Sequence, residues 1–180
     1  MLLGYILLAF PAIAVVSGLV YLPWGWFTHR REKGSLLFHL ARYALVGCVL
    51  SLAYLTVFWH YPDISFRPEA YFLNLRPFAW AVEGYEMSTQ NMVRQLLLNI
   101  AMFVPYGLLL PMAMKGLRSF LRTGAAVLGT TAAIETIQYF IGRSADVDDV
   151  MMNFLGGVLG YLLYVLLNRL LGSKSWWKTL

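Results

Sequence analysis

Five long apolar runs constrain this chain more than any other feature of its sequence. A helix needs about 20 mostly apolar residues to cross the hydrocarbon core of a bilayer, and each run is close to that length. The runs are about 2–22, 36–59, 95–114, 119–141 and 150–167. Only 13% of the 180 residues are charged, whereas about 25% is usual in a soluble domain. The sequence therefore predicts an all-α, polytopic transmembrane helix bundle with five spans.

The first run is expected to be a retained helix. No basic segment precedes it, and Pro23-Trp24-Gly25-Trp26 follows it, which is typical of an interfacial aromatic anchor and not of a cleavage site. Because no linker or repeat interrupts the chain, residues 1–180 are predicted to form one membrane domain. The single cysteine, Cys48, lies within the second run and excludes an internal disulfide or a cysteine-rich metal site.

The distribution of positive charge predicts the topology. The net charge is +5, but the Lys and Arg residues form short clusters between apolar runs, which is typical of topology signals and lipid headgroup contacts. Binding of nucleic acid is therefore not expected. An outside N-terminus and an inside C-terminus place ten of the fourteen Lys and Arg residues on the inner side. The connections 60–94 and 142–149 then share the outer face.

Polar residues within the predicted spans gather at one depth near this outer face. At a rise of about 1.5 Å per residue, Asn99, Glu135 and Asn153 lie one to one and a half turns inside their helices. Gln138 lies one turn above Glu135 on the same helix face. We predict an outward-facing polar cup that binds a ligand and consists of Arg94, Asn99, Glu135, Gln138, Arg143, Asp146, Asp148, Asp149 and Asn153.

Each of these residues also has a structural interpretation. A carboxylate within a span is costly, which favours a function for Glu135, but pairing with Arg143 or Arg94 would also account for it. Hydrogen bonds between helices would account for the amides, which are Asn99, Gln138 and Asn153.

The acids before the fifth span have a strong structural alternative. Asp146 is well placed as a helix N-cap, and Asp149 would then occupy the third helical position. Asp148 is the least explained of the three. These acids, with Asn153, could hold Mg²⁺ or Ca²⁺ through oxygen atoms. The residue types are common, so no metal site and no catalytic residue are assigned.

Two interpretations of the outer connection 60–94 stay open. It is rich in aromatic residues and contains Asn74, Arg76, Pro77 and Phe78 within one short stretch. Aromatic and arginine side chains suit a segment that lies in the headgroup layer. The same stretch could also form a lid over the cup.

Small residues and prolines predict how the helices pack beneath the cup. Gly156 and Gly160 form a small-xxx-small pair, and Gly157 widens the groove beside them. Pro105 and Pro111 each remove a backbone hydrogen bond and are expected to kink the third helix.

Several spaced motifs occur in a fixed order along the second half of the chain. They are Asn74-Leu75-Arg76-Pro77-Phe78, residues 99–107 (NIAMFVPYG), Glu135 with Gln138, residues 143–149 (RSADVDD), and Asn153 with Gly156, Gly157 and Gly160. Over about 74–167 these motifs resemble the VanZ-like family. The resemblance implies a multi-pass protein of the bacterial cytoplasmic membrane. The family is named for a protein that raises resistance to the glycopeptide antibiotic teicoplanin, so the resemblance implies a phenotype and not a reaction.

Two function classes follow from the cup. The leading hypothesis is a non-enzymatic protein of the cell envelope that binds a lipid headgroup, an envelope precursor or an amphiphilic antibiotic such as a lipoglycopeptide. The alternative is a membrane enzyme that acts on a lipid-linked phosphate or sugar. The two arginines of the cup face four acids, so a bare phosphate would need a divalent cation. A transporter is a third hypothesis, but no repeat supports it.

Overall fold

The computed structural model describes residues 9–29, 35–57, 73–78 and 89–180. The described chain is mostly helical. Its long helices are α1 (Phe10–His29), α2 (Leu36–Thr56), α3 (Thr89–Ala113), α4 (Phe120–Phe140) and α5 (Val147–Leu171). A short 3₁₀ turn, Lys115–Leu117, joins α3 to α4. Two strands of two residues each, β1 (Leu73–Asn74) and β2 (Ala145–Asp146), pair in parallel, which the all-α prediction did not include.

Four of the described helices are long and apolar enough to cross a membrane. These candidate spans are Phe10–Phe27, Leu36–Thr56, Val93–Ala113 and Val147–Leu171. Helix α4 has 21 residues, but it carries four threonines, two glycines and the polar side chains of Arg122, Glu135 and Gln138. These residues lower its hydropathy, so a fifth crossing by α4 stays a prediction.

The structure differs from the predicted helix bounds mainly at polar helix ends. Helix α1 continues through Pro23 and Gly25 to His29, so the Pro23–Trp26 segment is part of the helix and not a separate anchor after it. A helix in lipid tolerates an internal proline when its surroundings satisfy the freed carbonyl. Helix α3 begins at Thr89, before the predicted run that starts at about 95. The polar residues that precede this run are compatible with a helix, although they are not apolar enough to be counted as part of a span. Residues 1–8 lie outside the described residues.

Glycines bring the backbones of α3 and α5 into direct contact. A Cβ atom built on Gly156 would overlap the carbonyl of Ile100, and one on Gly160 would overlap the carbonyl of Val104. The neighbouring Gly157 faces the Val127 side chain of α4. Small residues are the usual means of close helix approach in membranes. This glycine seam holds α5, which carries Asp148, Asp149 and Asn153 of the candidate site, against the centre of the bundle.

The helix ends define two poles of the bundle. At one pole Arg42 donates a hydrogen bond from Nε to the Ala113 carbonyl at 3.2 Å, and its guanidinium lies 4.0 Å from the centre of the Phe38 ring. The C-terminal residues Trp177 and Leu180 are buried in the same cluster. The opposite pole, called the cup end below, contains the ends of α2 and α4, the start of α5 and both strands.

Candidate functional site

The strand pair ties residues 73–78 to the start of α5. Leu73 pairs with Ala145 and Asn74 with Asp146. The Asn74 side chain donates from Nδ2 to Asp146 Oδ2 at 3.2 Å, and its Oδ1 accepts the backbone N–H of Arg76 at 3.1 Å. These two bonds fix both ends of the Asn74 amide. The segment from the predicted outer connection therefore lies against the predicted cup, and the side chains of Arg76 and Pro77 on it are exposed.

Asp146 is the N-cap of α5 and also contacts α4. Its Oδ1 accepts the backbone N–H of Asp148 at 2.8 Å, which is the bond expected of a capping carboxylate. The backbone N–H of Asp146 in turn donates to Glu135 Oε2 at 3.0 Å. The carboxylate of Glu135 thus has a backbone donor at this end of the bundle, which reduces the cost of burying it.

The side chain of Asp148 binds the backbone of the 73–78 segment. Its Oδ1 accepts the backbone N–H of Phe78 at 2.7 Å, while the Phe78 side chain is exposed. Phe78 has a φ of 60°, a left-handed conformation that is costly for a residue with a bulky side chain. The bond to Asp148 helps to hold that conformation. The other carboxylate oxygen, Oδ2, is buried and has no hydrogen-bond partner among the described residues.

Two amides of the predicted cup join neighbouring helices. Asn99 of α3 donates from Nδ2 to Asp149 Oδ1 at 2.6 Å, and Asn153 of α5 donates from Nδ2 to the Thr131 hydroxyl of α4 at 2.9 Å. Asn153 is only 3% exposed, and its Oδ1 is the second buried polar atom without a partner in the described part of the chain. The bond to Thr131 agrees with the structural interpretation of Asn153, and a ligand-binding role for its other end stays a prediction.

Gln138 and Arg143 converge on one backbone carbonyl at the end of α2. Gln138 Nε2 donates to the Thr56 oxygen at 3.0 Å, and Arg143 Nη1 donates to the same oxygen at 2.6 Å. Burial lowers the pKa of the Arg143 guanidinium, while the nearby Glu135 and Asp149 carboxylates act in the opposite direction. An arginine keeps its proton under these influences. It therefore supplies fixed positive charge beside the acids.

One predicted member of the cup stands apart from the others. Arg94 lies near the start of α3 with an exposed side chain, and it makes no hydrogen bond to another described residue. Without Arg94, Arg143 is the one partly buried arginine beside the four acids Glu135, Asp146, Asp148 and Asp149, and the exposed Arg76 lies at the edge of this cluster. The connected part of the site is therefore more acidic than the sequence count of two arginines suggested.

Two site residues were missed by the sequence analysis. Thr131 precedes Glu135 by four residues and therefore shares its helix face, so a search for hydroxyls at that spacing would have found it. The Thr56 carbonyl is a backbone group at a helix end. No side-chain pattern marks it, and it could be recognised only from its two donors.

The acids are not arranged as a metal site. No group of three or more His, Cys, Asp or Glu residues within 9–29, 35–57, 73–78 and 89–180 could hold a metal ion. Asp146 bonds the Asn74 amide and the Asp148 N–H, Asp148 bonds the Phe78 N–H, and Asp149 bonds Asn99. Because these oxygens are aimed at separate donors, they do not fit a shared cation.

Comparison with known proteins gives one family and one curated relative. The family model VanZ/LLP1 matches residues 40–168. Protein VanZ of Enterococcus faecium is 36% identical over 104 residues, which is 57% of this chain and 58% of the relative. The match therefore spans less than two thirds of that protein. No solved structure matches the chain.

Proposed function

The chain belongs to the VanZ-like family, and from this premise we propose that it is a cell-envelope membrane protein whose cup binds the headgroup of an amphiphile. The family match and the four apolar helices establish a VanZ-like multi-pass membrane protein. The ligand and the direction in which the cup faces are the proposal. The distribution of Lys and Arg favours an outward cup in the cytoplasmic membrane of a bacterium.

The two unpartnered oxygens are the observation that carries the proposal. Asp148 Oδ2 and Asn153 Oδ1 are buried acceptors without a donor from any described residue. A buried acceptor left without a donor costs free energy, more so when it belongs to a charged group. A ligand that brings N–H donors would remove that cost. We therefore propose that the ligand presents an ammonium or similar donor group.

The charge of the cluster supports the same class of ligand. Four acids lie at this end of the bundle, and two of them, Glu135 and Asp149, act directly on the Arg143 guanidinium. A cationic or zwitterionic headgroup is therefore attracted while a bare phosphate is repelled. Arg143 uses one of its five donors on the Thr56 carbonyl. Its other donors suit the phosphate of a zwitterionic lipid. Three sources fit this chemistry: a membrane lipid, an envelope precursor and an amphiphilic antibiotic.

The 73–78 segment fits a lid over this site. Asn74 and the Phe78 backbone each hydrogen-bond an acid of the α5 start, and the strained φ of Phe78 is held by its bond to Asp148. Breaking the bond between the Phe78 N–H and Asp148 Oδ1 would relax the strain at Phe78. It would also free Oδ1, which lies next to the unpartnered Oδ2. We propose that ligand entry displaces Phe78 and leaves the Asn74 contact in place.

The proposed role at the outer face would place the protein where a glycopeptide antibiotic meets the membrane. We therefore propose that it contributes to resistance to teicoplanin by binding an envelope component or the antibiotic. The metal-dependent enzyme gains no support from the site, because the acids are aimed at separate protein donors. No reaction is assigned.

Glu135→Gln tests the proposal. An amide oxygen can still accept the Asp146 N–H and is cheaper to bury than a carboxylate, so the variant should remain folded. Removal of one negative charge should weaken retention of an aminophospholipid, measured by native mass spectrometry, by about tenfold. In a teicoplanin-sensitive host, the same variant should lose any increase in the inhibitory concentration.

Thr136→Ala is the matched control, because Thr136 lies on the exposed side of α4 and its hydroxyl bonds only its own helix. It should keep both lipid retention and phenotype. A folded Glu135→Gln protein that retains lipid and phenotype in full would exclude Glu135 from the site. Retention that disappears on treatment with a chelator would favour the metal-dependent enzyme instead.

A further inference from the structure

A second feature of the bundle is an apolar groove between α1, α2 and α3. It encloses about 420 Å³, which is within the range of small-molecule sites. Small residues create this volume, because Ala14 of α1 faces Ala44, Gly47, Cys48 and Ser51 of α2 across it.

Two of the polar groups that line the groove have partners within the protein. Ser17 Oγ donates to the Ile13 carbonyl at 2.6 Å, and the Tyr43 hydroxyl donates to the Ala14 carbonyl at 2.8 Å. A hydroxyl that already donates a hydrogen bond to a backbone carbonyl does not need a hydrogen-bond partner on an occupant of the groove. Apart from the Ser51 hydroxyl, the remaining lining is hydrocarbon and sulfur, contributed in part by Leu55 and Met102. The occupant must therefore be apolar over the length of the groove.

The length of the groove matches one leaflet of a bilayer. Its lining on α2 runs from Tyr43 to Leu55, which is about 18 Å at 1.5 Å per residue. Half of the hydrocarbon core of a bilayer is about 15 Å. The groove also follows the helix axes, as a lipid chain in its leaflet does. An acyl chain is thus the apolar group with the matching length and direction.

The end of the groove nearest the cup lies at the level of a positive charge. Leu55 lines that end, and the next residue, Thr56, has the carbonyl that binds Arg143. The Arg143 side chain is partly buried, and its guanidinium makes no other hydrogen bond to a described residue. A chain that lies in the groove would bring an attached phosphate to the level of this guanidinium.

We propose that the groove binds one acyl chain of a membrane glycerophospholipid, whose phosphate lies at Arg143. The assignment of the phosphate to Arg143 rests on the proposed function, whereas the chain contact stands on the groove alone. The cup and the groove together then describe one amphiphile site, with the headgroup at the acids and one chain along α2.

Photolabelling of the full chain in lipid bilayers tests the groove. Vesicles contain phosphatidylethanolamine and phosphatidylglycerol, with a small fraction of phosphatidylethanolamine that has a diazirine in one acyl chain. After irradiation, adducts are mapped by mass spectrometry. Adducts should concentrate on groove residues such as Cys48, Ser51 and Met102, and should exceed those on the exposed side of α4.

Two variants that fill the groove with a larger side chain, called the filling variants, and one control variant make the test more specific. Ala44→Trp and Ser51→Phe occupy the groove and should lower its adducts by about tenfold, the effect of losing contacts with about two buried methylenes. Ala125→Trp adds the same bulk to the exposed side of α4 and should leave the groove adducts unchanged. The two filling variants act independently, so misfolding of one does not remove the test.

Several outcomes would overturn the inference. Groove adducts no higher than those on α4, or adducts that persist in both folded filling variants, would show only non-specific lipid around the protein. A dimer that forms through the groove and excludes the label would assign it to a second copy of the chain. Labelling blocked by an acylated glycopeptide but unaffected by unlabelled phospholipid would assign it to the antibiotic. Because the probe carries the same headgroup, Asp148→Asn should lower groove labelling together with lipid retention. Groove labelling that persists in this variant would refute the headgroup site at the acids and leave the chain contact standing.

Discussion

Asp148 and Asn153 each have one satisfied and one unsatisfied end. Asp148 accepts the Phe78 N–H through Oδ1, and Asn153 donates to Thr131 through Nδ2, whereas their other oxygens are buried without a donor. A purely structural side chain would be expected to use both of its polar atoms, because each buried atom without a partner destabilises the fold. This asymmetry is the reason for treating the cluster as a binding site.

The variant Asp148→Asn distinguishes the roles of the two carboxylate oxygens of Asp148. The amide oxygen can keep the bond from Phe78, while an N–H₂ group replaces the unsatisfied oxygen and repels an ammonium donor. We expect the melting temperature to stay the same or rise, since a buried charge is removed. Retention of phosphatidylethanolamine should fall by at least about tenfold in native mass spectrometry.

Ser144→Ala is the control for that measurement, because Ser144 is exposed at the same end of the bundle. It should retain the lipid as the unmodified protein does. Equal retention in Asp148→Asn would mean that the unsatisfied oxygen does not contact the ligand, and the donor chemistry proposed here would be wrong.

The sequence could predict which polar residues belong to this region but not all of their partners. Equal depth on three helices identified Asn99, Glu135 and Asn153, and the capping position of Asp146 followed from its place before an apolar run. The backbone acceptor at Thr56 has no side-chain signature. Arg94 was grouped with the cup by depth alone, although five residues before Asn99 it points to a different side of the helix.

At the scale of the elements, the glycine seam decides how α3 and α5 meet. Gly156 and Gly160 face backbone atoms of α3, which cannot rotate away as a side chain can. The spacing of four residues predicted this contact, because it places both glycines on one helix face. The strand pair escaped prediction because two residues are too few to show an alternating pattern.

Gly160→Ala should destabilise the bundle strongly. The added methyl group would overlap the Val104 carbonyl and the Leu108 backbone, so the two helices would have to separate. We expect a loss of about 2 kcal/mol or more in the free energy of unfolding, at the upper end of the overpacking range. Thermal unfolding of the purified protein in detergent would measure it.

Gly129→Ala is the matched substitution, since a Cβ atom there meets nothing within 4 Å. It should be neutral or raise the stability by about 0.5–1 kcal/mol, because alanine is the better helix former. Equal melting temperatures of Gly129→Ala and Gly160→Ala would remove the case for a close seam.

At the scale of the whole molecule, the two poles differ in chemistry. The cup end contains four acids and the guanidinium of Arg143, with Arg76 and Arg94 exposed at the same end, whereas the opposite pole has Arg42 and Lys115 around Phe38 and a buried C-terminal segment. Lys and Arg prefer the cytoplasmic side of a membrane. We therefore expect the pole opposite the proposed binding site to face the cytoplasm.

Thiol labelling on intact cells tests that orientation. In a Cys48→Ala background, a cysteine introduced by Ser144→Cys should react with a membrane-impermeant thiol reagent, because residue 144 is exposed at the cup end. Ser173→Cys, exposed beyond the end of α5, should react only after the membrane is permeabilised. The reverse pattern would place the cup in the cytoplasm, where it could not meet an antibiotic in the outer leaflet. It would also turn the excess of Lys and Arg outward, against the usual preference, so the proposed envelope function would fail together with the topology.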